Sequence, residues 1–409
     1  MSDLEWVVND VTSHRVDGTP ESSRRAIVES LVALRALLRM EVAFVSRFAD
    51  GRRWFEFVDS DESFRPFEVG DSDPMGASYC ARVVDGRVDR LIHDARQVPE
   101  LRDLSVTTSL PIGAHLSVPI AGSDGVTMGT LCCFSRHPDP DLRERDLELM
   151  TVFAGLISRH LDLLVTAERR GSTVAEAVTS VITSGGPAIA LQPIVDITTG
   201  TTAGYEALSR FPRVENWTPD RWFREADTVG LGTDLEASAV RAALREMGRL
   251  PRGTSLSVNV SARALCASDG VLDLLVEASS PQVVVELTEH DQIDDYERLA
   301  HVLTRVRQTG ARVAVDDAGS GYAGLGHILR LEPEVLKLDR TLVEGIAHDL
   351  GRQAMCVAMV GFTRRMGSTL IAEGVETNED LEGLADLGVP YAQGYFLGRP
   401  QIPEPRAGE

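Results

Sequence analysis

The sequence predicts two folded domains, an α+β domain with an antiparallel sheet followed by an α/β barrel. A chain of 409 residues is too long for one ordinary domain. Strand-like runs around a glycine turn in the first half indicate a hairpin. The second half alternates short apolar strands with helices, which favours parallel pairing, and about eight strands favour closure into a barrel.

Composition narrows the classes of function. Hydrophobic residues make up 43% of the chain and charged residues 25%, which is typical of a globular protein. The formal net charge of −21 argues against binding nucleic-acid polymers or anionic membranes, since both need a basic surface. No apolar run approaches the ~20 residues of a membrane-spanning helix. The start at Met1 lacks the basic and apolar regions of a secretory signal. We therefore expect a cytoplasmic protein with no membrane partner.

The first domain, residues 21–165, follows a polar and patternless arm over residues 1–20. Apolar residues at helical spacing predict a first helix from Arg24 to Arg39. Strands are predicted at Val42–Phe48, Trp54–Val58, His115–Ile120 and Met128–Phe134, the last two flanking a Ser123-Asp-Gly125 turn. This order favours an α+β domain with an antiparallel sheet.

A long helix is predicted from Asp141 onward. Its apolar stripe consists of Met150, Phe153, Ile157, Leu161 and Leu164. Two interpretations stay open: the stripe packs on its own domain, or it forms a dimer. The polar segments Arg169–Thr173 and Thr183–Pro187 predict a linker over residues 166–186.

The cysteines are scattered without the spacing of a zinc site, which predicts buried reduced thiols. They are Cys80, Cys132, Cys133, Cys266 and Cys356. Cys80 falls in a predicted loop and is the least typical of a core residue.

The barrel is predicted over residues 187–405. Its strands are predicted at Ala188–Val195, Tyr205–Ser209, Leu256–Val260, Val283–Leu287, Arg312–Asp316, Val335–Leu338, Thr369–Ala372 and near Tyr391. Helices between them include Asp234–Leu250, Ala264–Ala278 and Tyr296–Gln308.

The carboxyl ends of these strands, where the active sites of such barrels lie, are acidic. The residues concerned are Glu206, Glu286, Asp316, Asp317, Asp339 and Glu373, with Asn259 at another strand end. Any one of these carboxylates is also explained as a helix N-cap. Together they cannot all ionise without compensation. Oxygen ligands without Cys or His predict Mg²⁺ or Mn²⁺.

Two cations accompany the carboxylates. Lys337 interrupts an apolar strand and is predicted to point into the barrel mouth, where it either snorkels or orients an attacking water. Arg210 is a candidate phosphate ligand because its planar guanidinium donates two hydrogen bonds at once, although a surface salt bridge is the alternative.

The second half of the chain, from Pro187 to Pro403, resembles the EAL-domain cyclic di-GMP phosphodiesterases. The matching segments are Leu191-Gln-Pro-Ile-Val195, Tyr205-Glu-Ala-Leu-Ser-Arg210, Ser257-Val-Asn-Val-Ser261, Glu286-Leu-Thr-Glu289, Asp316-Asp-Ala-Gly-Ser-Gly-Tyr322, Lys337-Leu-Asp339, Ala372-Glu-Gly-Val-Glu376 and Gln393-Gly-Tyr-Phe396. The resemblance implies a TIM-like (β/α)8 barrel that cleaves cyclic di-GMP to linear pGpG.

The resemblance also implies roles for single residues. Glu206, Asn259, Glu286 and Asp316 would hold one metal; Asp317 and Glu373, with Asp316 bridging and Asp339 nearby, would hold a second. Lys337 would orient the attacking water. Nucleotide-binding positions would be Gln192, Leu208, Arg210 and Asp234, with Glu376 and Gln393 around them. Glu289 would brace the loop after Asp317.

The chain departs from the family in that loop. Ala318 and Ser320 stand where the family usually has Phe and Thr. In the family this loop couples the metal site to the dimer interface. The departure therefore predicts looser coupling or lower activity.

The first domain resembles GAF sensor modules through Val42–Phe48, Leu116–Ile120 and Gly129–Phe134. Such modules bind small molecules or chromophores, or serve only for dimerisation; the sequence does not identify a ligand. Ordinary structural roles are expected for Cys80, His93 and His115 rather than haem or bilin attachment.

Together, the two resemblances predict a sensor-regulated phosphodiesterase that forms a homodimer. Two alternatives stay open: a receptor that binds cyclic di-GMP without cutting it, and an enzyme for another phosphodiester. Degenerate members of the family usually lose metal ligands or the lysine, and this chain keeps them, which favours the enzyme.

Overall fold

A computed structural model describes residues 19–404, with gaps at 124, 215–216, 268, 279, 289–294 and 319–324. The chain divides into two compact units, Met1–Arg170 and Gly171–Glu409.

The first unit is an α+β domain, as predicted. Helix α1 (Pro20–Leu38) precedes an antiparallel sheet with strand order β3-β2-β1-β6-β5-β4. Its strands are β1 (Val42–Ala49), β2 (Arg52–Ser60), β3 (Ser72–Pro74), β4 (Leu91–Ile92), β5 (His115–Ala121) and β6 (Thr127–Phe134). Short helices α2 (Tyr79–Val84), α3 (Pro99–Arg102) and α4 (Ser105–Ser109) lie between β3 and β5 in sequence, and α5 (Glu144–Thr183) follows β6.

The predicted stripe of α5 packs within its own unit. Met150, Phe153, Ile157 and Leu164 are buried in one core cluster with α1 residues such as Leu31. This agrees with the first interpretation of the stripe, while the homodimer stays a prediction. By length and composition α5 is apolar enough to cross a membrane. This differs from the expectation that no part of the sequence is apolar enough to do so. The core helix of a globular protein passes the same test, and the stripe lies in such a core.

Cys80 does not lie in a loop. It lies in α2 and is fully buried. Its thiol accepts a hydrogen bond from Arg53 Nη1 at 3.0 Å and lies 3.2 Å from Cys132 Sγ. Burial raises the pKa of this thiol, but the hydrogen bonds and the charge of Arg53 lower it to about 5. His115 is also buried, and His93 bonds the Asp139 carbonyl oxygen at the surface.

The predicted linker over residues 166–186 is wrong for most of its length. Helix α5 continues to Thr183, and a turn through Gly185 and Gly186, both at positive φ, leads into the barrel. The last turns of α5 are stabilised by Val174, Val178 and Val181, which pack in a cluster around Trp222.

The second unit is a closed barrel of eight strands, as predicted. The strands are β7 (Ala188–Asp196), β8 (Thr202–Arg210), β9 (Ser255–Asn259), β10 (Val283–Thr288), β11 (Arg312–Ala318), β12 (Val335–Leu338), β13 (Thr369–Ala372) and β14 (Tyr391–Ala392). The expectation of parallel pairing is wrong for β7, which runs antiparallel to both β8 and β14. The β7–β8 connection of residues 197–201 is too short for a parallel crossover.

Helices surround the strands and bury their outward side chains in one large core cluster. These helices are α6 (Pro219–Thr228), α7 (Gly232–Glu246), α8 (Ala262–Ala267), α9 (Asp269–Ala278), α10 (Tyr296–Gln308), α11 (Leu325–Leu331), α12 (Arg340–Val343), α13 (Leu350–Met366) and α14 (Asn378–Asp386). A separate, smaller cluster of Ile194, Val284, Ala314, Val335 and Ile371 lies inside the barrel.

Candidate active site

Three carboxylates from parallel strands meet inside the barrel. Glu206 on β8, Glu286 on β10 and Asp316 on β11 offer oxygens that lie within 4.8 Å of one another. Successive side chains of a strand point to opposite faces, so these residues face inward while Ala207, Leu287 and Val315 join the outer core. Three of the acidic strand ends predicted from the sequence therefore converge on one point.

A cation, Lys337 on β12, lies at this point and is fully buried. Its Nζ lies 2.6 Å from Glu373 Oε1, 2.9 Å from Glu286 Oε2, 3.3 Å from Asp316 Oδ1 and 3.5 Å from Glu206 Oε2. Lys337 is also the only lysine in the chain. It does not snorkel to solvent, and it forms the centre of the acidic cluster.

Amide side chains fix the orientation of Glu206. Asn259 Nδ2 donates to Glu206 Oε1 at 2.9 Å, and Gln393 Nε2 donates to Oε2 at 2.5 Å. Gln393 Nε2 also lies 3.2 Å from Gln192 Oε1, and Gln192 Nε2 donates to the Gly398 carbonyl oxygen. Four residues predicted as site residues thus form one connected network.

The pKa values reflect burial opposed by charge. Burial raises the pKa of Glu206, but the charge of Lys337 and the amide hydrogen bonds hold it below its ordinary value. Burial raises the pKa of Glu286 to about 8, with the neighbouring Glu206 and Asp316 charges adding to the rise and Lys337 opposing it. Burial likewise raises the pKa of Glu373. One ammonium therefore does not compensate every carboxylate of the cluster.

The cluster fits a divalent cation. Within the part of the chain that the structure describes, Glu286 Oε1 is buried without a hydrogen-bond partner. A buried acceptor of this kind is costly unless something binds it. The donors are hard oxygens, which suit Mg²⁺ or Mn²⁺. Glu206, Glu286 and Asp316 would hold such an ion, and its charge would supply the missing compensation.

A cleft of about 1000 Å³ opens beside the cluster and is lined by Glu206, Asn259 and Asp316. Leu208 and Arg210, both predicted as binding residues, line it as well. Phe223 and Arg224 of α6 were not predicted from the sequence, and they contribute an aromatic ring and a second cation to the same cleft. The sequence pattern that could have predicted them is the amphipathic helix Pro219–Thr228, shortly after the strand that carries Glu206.

The other predicted residues lie around this centre or outside the described part. Asp339 caps α12 by accepting hydrogen bonds from Thr341, and Glu376 pairs with Arg340 at 3.1 Å. Asp234 is exposed in the first turn of α7 and is not among the cleft-lining residues. Ala318 is not in a loop, since it ends β11 as a buried residue. Glu289, Ser320 and the side chain of Asp317 lie outside the described residues.

The fold and site define a class: an α/β barrel with an acidic, lysine-centred site at the carboxyl ends of its strands. The EAL domain model matches residues 175–400, more than half of the chain, and the GAF domain model matches residues 23–162. The chain belongs to the EAL domain family and carries an N-terminal GAF domain.

Curated relatives include a bifunctional diguanylate cyclase/cyclic di-GMP phosphodiesterase, MucR of Pseudomonas aeruginosa, which is 31% identical over 52% of this chain and 33% of its own length. Cyclic di-GMP phosphodiesterase PdeB of Shewanella oneidensis is 29% identical over 45% of this chain and 22% of its own length. The chain thus spans less than half the length of these relatives.

Solved structures give the same fold. The PaMucR phosphodiesterase in complex with c-di-GMP is 28% identical, with a TM-score of 0.50, over 56% of this chain and 97% of that one. The EAL enzyme Bd1971 in its cAMP-bound form covers 88% of this chain and 90% of its own, with a TM-score of 0.51. At 17% identity, that second likeness concerns the fold alone.

Proposed function

We propose that this protein is a divalent-metal-dependent phosphodiesterase that hydrolyses cyclic di-GMP to linear pGpG under control of its GAF domain. The observation that carries the proposal is the convergence of four carboxylates on Lys337 beside a cleft of about 1000 Å³. A cleft of this size suits a cyclic dinucleotide. The names of the curated relatives support the substrate.

The reaction follows from the side chains of the site. Arg210 and Arg224 line the cleft and bind the phosphodiester through charge-assisted hydrogen bonds. Lys337 donates a hydrogen bond to the attacking water, and Glu373 lies 2.6 Å from its ammonium, near enough to accept the water proton. The new bond between the water oxygen and phosphorus replaces the bond from phosphorus to O3′, and the leaving O3′ takes up a proton from solvent to become the hydroxyl group of pGpG. Two divalent cations, held by the predicted carboxylates and Asn259, would supply charge neutralisation for the phosphate and activation of the water.

The test is chromatography of products after incubating the full-length protein with cyclic di-GMP and Mg²⁺ or Mn²⁺. We expect linear pGpG that disappears with a chelator. Calcium is expected to inhibit because its longer and looser coordination misplaces the ligands. The variant Glu206→Gln is expected to lose at least ~100-fold in rate through loss of a charged ligand.

The matched control is Asp220→Asn, which removes an exposed acid from the same cleft outside the carboxylate cluster. It is expected to keep most of the activity. Turnover that survives both the chelator and Glu206→Gln would contradict the proposal. Metal-dependent binding of cyclic di-GMP without turnover would instead identify the receptor alternative.

We further propose a homodimer in the cytoplasm whose GAF domain adjusts turnover. The support is the GAF match over residues 23–162 together with the family resemblance. A light-scattering mass twice that of the 44.4 kDa chain is the expected result. A monomer at working concentrations would reject the dimer without affecting the phosphodiesterase.

A further inference from the structure

A second cavity enters the barrel from the end opposite the carboxylate cluster. Its volume is about 290 Å³, and it is lined by residues at the amino-terminal ends of parallel strands, such as Ser255, Arg312 and Thr369. The interior of such barrels is ordinarily filled by layers of Val, Ile and Leu. Here Ser257 occupies an inward position of β9 and lines the cavity, and its small side chain leaves space unfilled.

The lining of this cavity combines one positive charge with apolar and hydroxyl-bearing residues. Among the residues that the structure describes, Arg312 is the only charged one that lines it. Within the described part of the chain, no ion pair or hydrogen bond joins the Arg312 guanidinium to another residue. The walls are apolar at Val284, Val335 and Ile371, and hydroxyl groups of Thr369 and Tyr391 lie among the lining residues.

This combination selects a ligand class. A cavity that is about twice the ~150 Å³ space that accommodates benzene admits a ring with one substituent. A guanidinium that has no partner among the described residues favours an oxyanion, because its planar donors match a carboxylate or phosphate in pairs. The formal net charge of −21 makes a cationic cavity exceptional on this chain.

We propose that the amino-terminal end of the barrel binds a small organic anion, with its oxyanion on Arg312 and its apolar body among Val284, Val335 and Ile371. This site is separate from the active site, because Glu206, Asn259 and Asp316 line the other cavity. The proposal does not depend on the phosphodiesterase proposal.

The test is isothermal titration calorimetry of the full-length protein, without divalent cations, against benzoate, phenyl phosphate and benzyl alcohol. Saturable one-to-one binding is expected for an anionic probe and at least ~10-fold weaker binding for the alcohol, since a charge-assisted hydrogen bond is lost. Benzoate preferred over phenyl phosphate identifies a carboxylate ligand, and the reverse identifies a phosphate ester. A crystal of the full chain with 4-bromobenzoate is expected to show the bromine in this cavity.

Variants separate the site from adventitious binding. Arg312→Gln is expected to weaken binding at least ~10-fold, while Arg312→Lys keeps part of it. Thr369→Phe is expected to block binding by occupying the cavity. The matched control Arg365→Gln removes an exposed arginine of α13 and is expected to change nothing.

The circular dichroism spectrum and the urea midpoint check that each variant is folded. The proposal is overturned if no anionic probe binds the wild-type protein, if Arg312→Gln binds as well as the wild-type protein, or if the bromine lies elsewhere.

Discussion

At the residue scale, the unusual feature is one buried lysine with four carboxylates around its ammonium group. Burial by itself lowers the pKa of Lys337, but Glu206, Glu286, Glu373 and Asp316 together hold it well above its ordinary value of 10.5. A buried cation that loses its partners is strongly destabilising, and the same applies to the carboxylates that would lose the cation. Lys337 is therefore needed for folding, apart from the role in catalysis that we propose for it.

Because the chain has one lysine, selective ¹³C labelling of lysine Cε gives one side-chain signal by NMR. We expect this signal not to titrate as the pH rises to 10.5, since a raised pKa keeps the ammonium charged beyond the ordinary midpoint. The variant Glu206→Gln is expected to move the titration to lower pH by removing one negative charge. A wild-type midpoint at or below 10.5 would show that the carboxylates do not surround the amine.

His115 makes a second residue-scale prediction, for the first unit. Burial and the charge of Arg53 lower its pKa to about 3, against 6.5 for an ordinary histidine. Below pH 6.5 the unfolded chain binds a proton that the folded domain excludes. The stability that neutral His115 contributes is present above pH 6.5 and is lost toward pH 3, at ~1.4 kcal/mol per pH unit.

The measurement is hydrogen exchange of β5 amides at pH 7.5 and pH 5. We expect the wild-type protein to lose about 2 kcal/mol more than His115→Phe over this interval. The control His93→Gln, at an exposed histidine of the same unit, is expected to keep the wild-type dependence. An identical pH dependence in wild type and His115→Phe would mean that His115 accepts a proton in the folded state.

At the element scale, helix α5 contributes to the core of the second unit. Val174, Val178 and Val181 are each less than 5% exposed and share a cluster with Trp222. Burying three valines contributes roughly 4–6 kcal/mol. A fragment of residues 171–409 is therefore expected to unfold at a higher urea concentration than one of residues 187–409.

Two substitutions in α5 of the full chain provide the matched control. Val178→Ala, at a fully buried position, is expected to cost about 2 kcal/mol, and Val152→Ala, at a position 55% exposed, close to nothing. Equal urea midpoints for the two fragments would mean that the last turns of α5 do not stabilise the barrel.

The length of helix α5 was not predicted correctly from the sequence. The polar run Arg169–Thr173 predicts a linker, but a single interior glycine costs only ~1 kcal/mol, less than the burial of the valines that follow. Strand positions were predictable from their apolar runs, and β12 and β13 have the predicted bounds. The direction of β7 was missed. The predicted strand bounds left residues 196–204 between β7 and β8, whereas the structure leaves only residues 197–201, which allow only a hairpin.

For the site, the acidic strand ends were predictable, because parallel strands bring their carboxyl ends to one face. The four partners of Lys337 were not, because their distances depend on the stagger between strands that are far apart in sequence. Arg224 was missed for a related reason, since its place in the cleft depends on how α6 packs beside the barrel.

At the scale of the whole molecule, charge works against the proposed substrate. Cyclic di-GMP carries two phosphodiester charges, and the chain carries a formal charge of −21. Arg210 and Arg224 attract the substrate only over short distances. Charges interact over about 30 Å at 0.01 M salt but only about 8 Å at 0.15 M, so repulsion by the whole protein dominates approach only at low salt.

We therefore expect kcat/KM for cyclic di-GMP, at saturating Mg²⁺, to rise about two- to threefold between ~0.01 M and ~0.15 M salt as the long-range repulsion is screened. Above that range it is expected to fall, because the short-range attraction of the arginines is then screened too. Arg224→Gln serves as the control: it is expected to remove most of the fall and to leave the rise, since one arginine changes the total charge little. A decline of kcat/KM from the lowest salt onward would mean that the two arginines govern the approach of the substrate at every distance, despite the acidic surface around them.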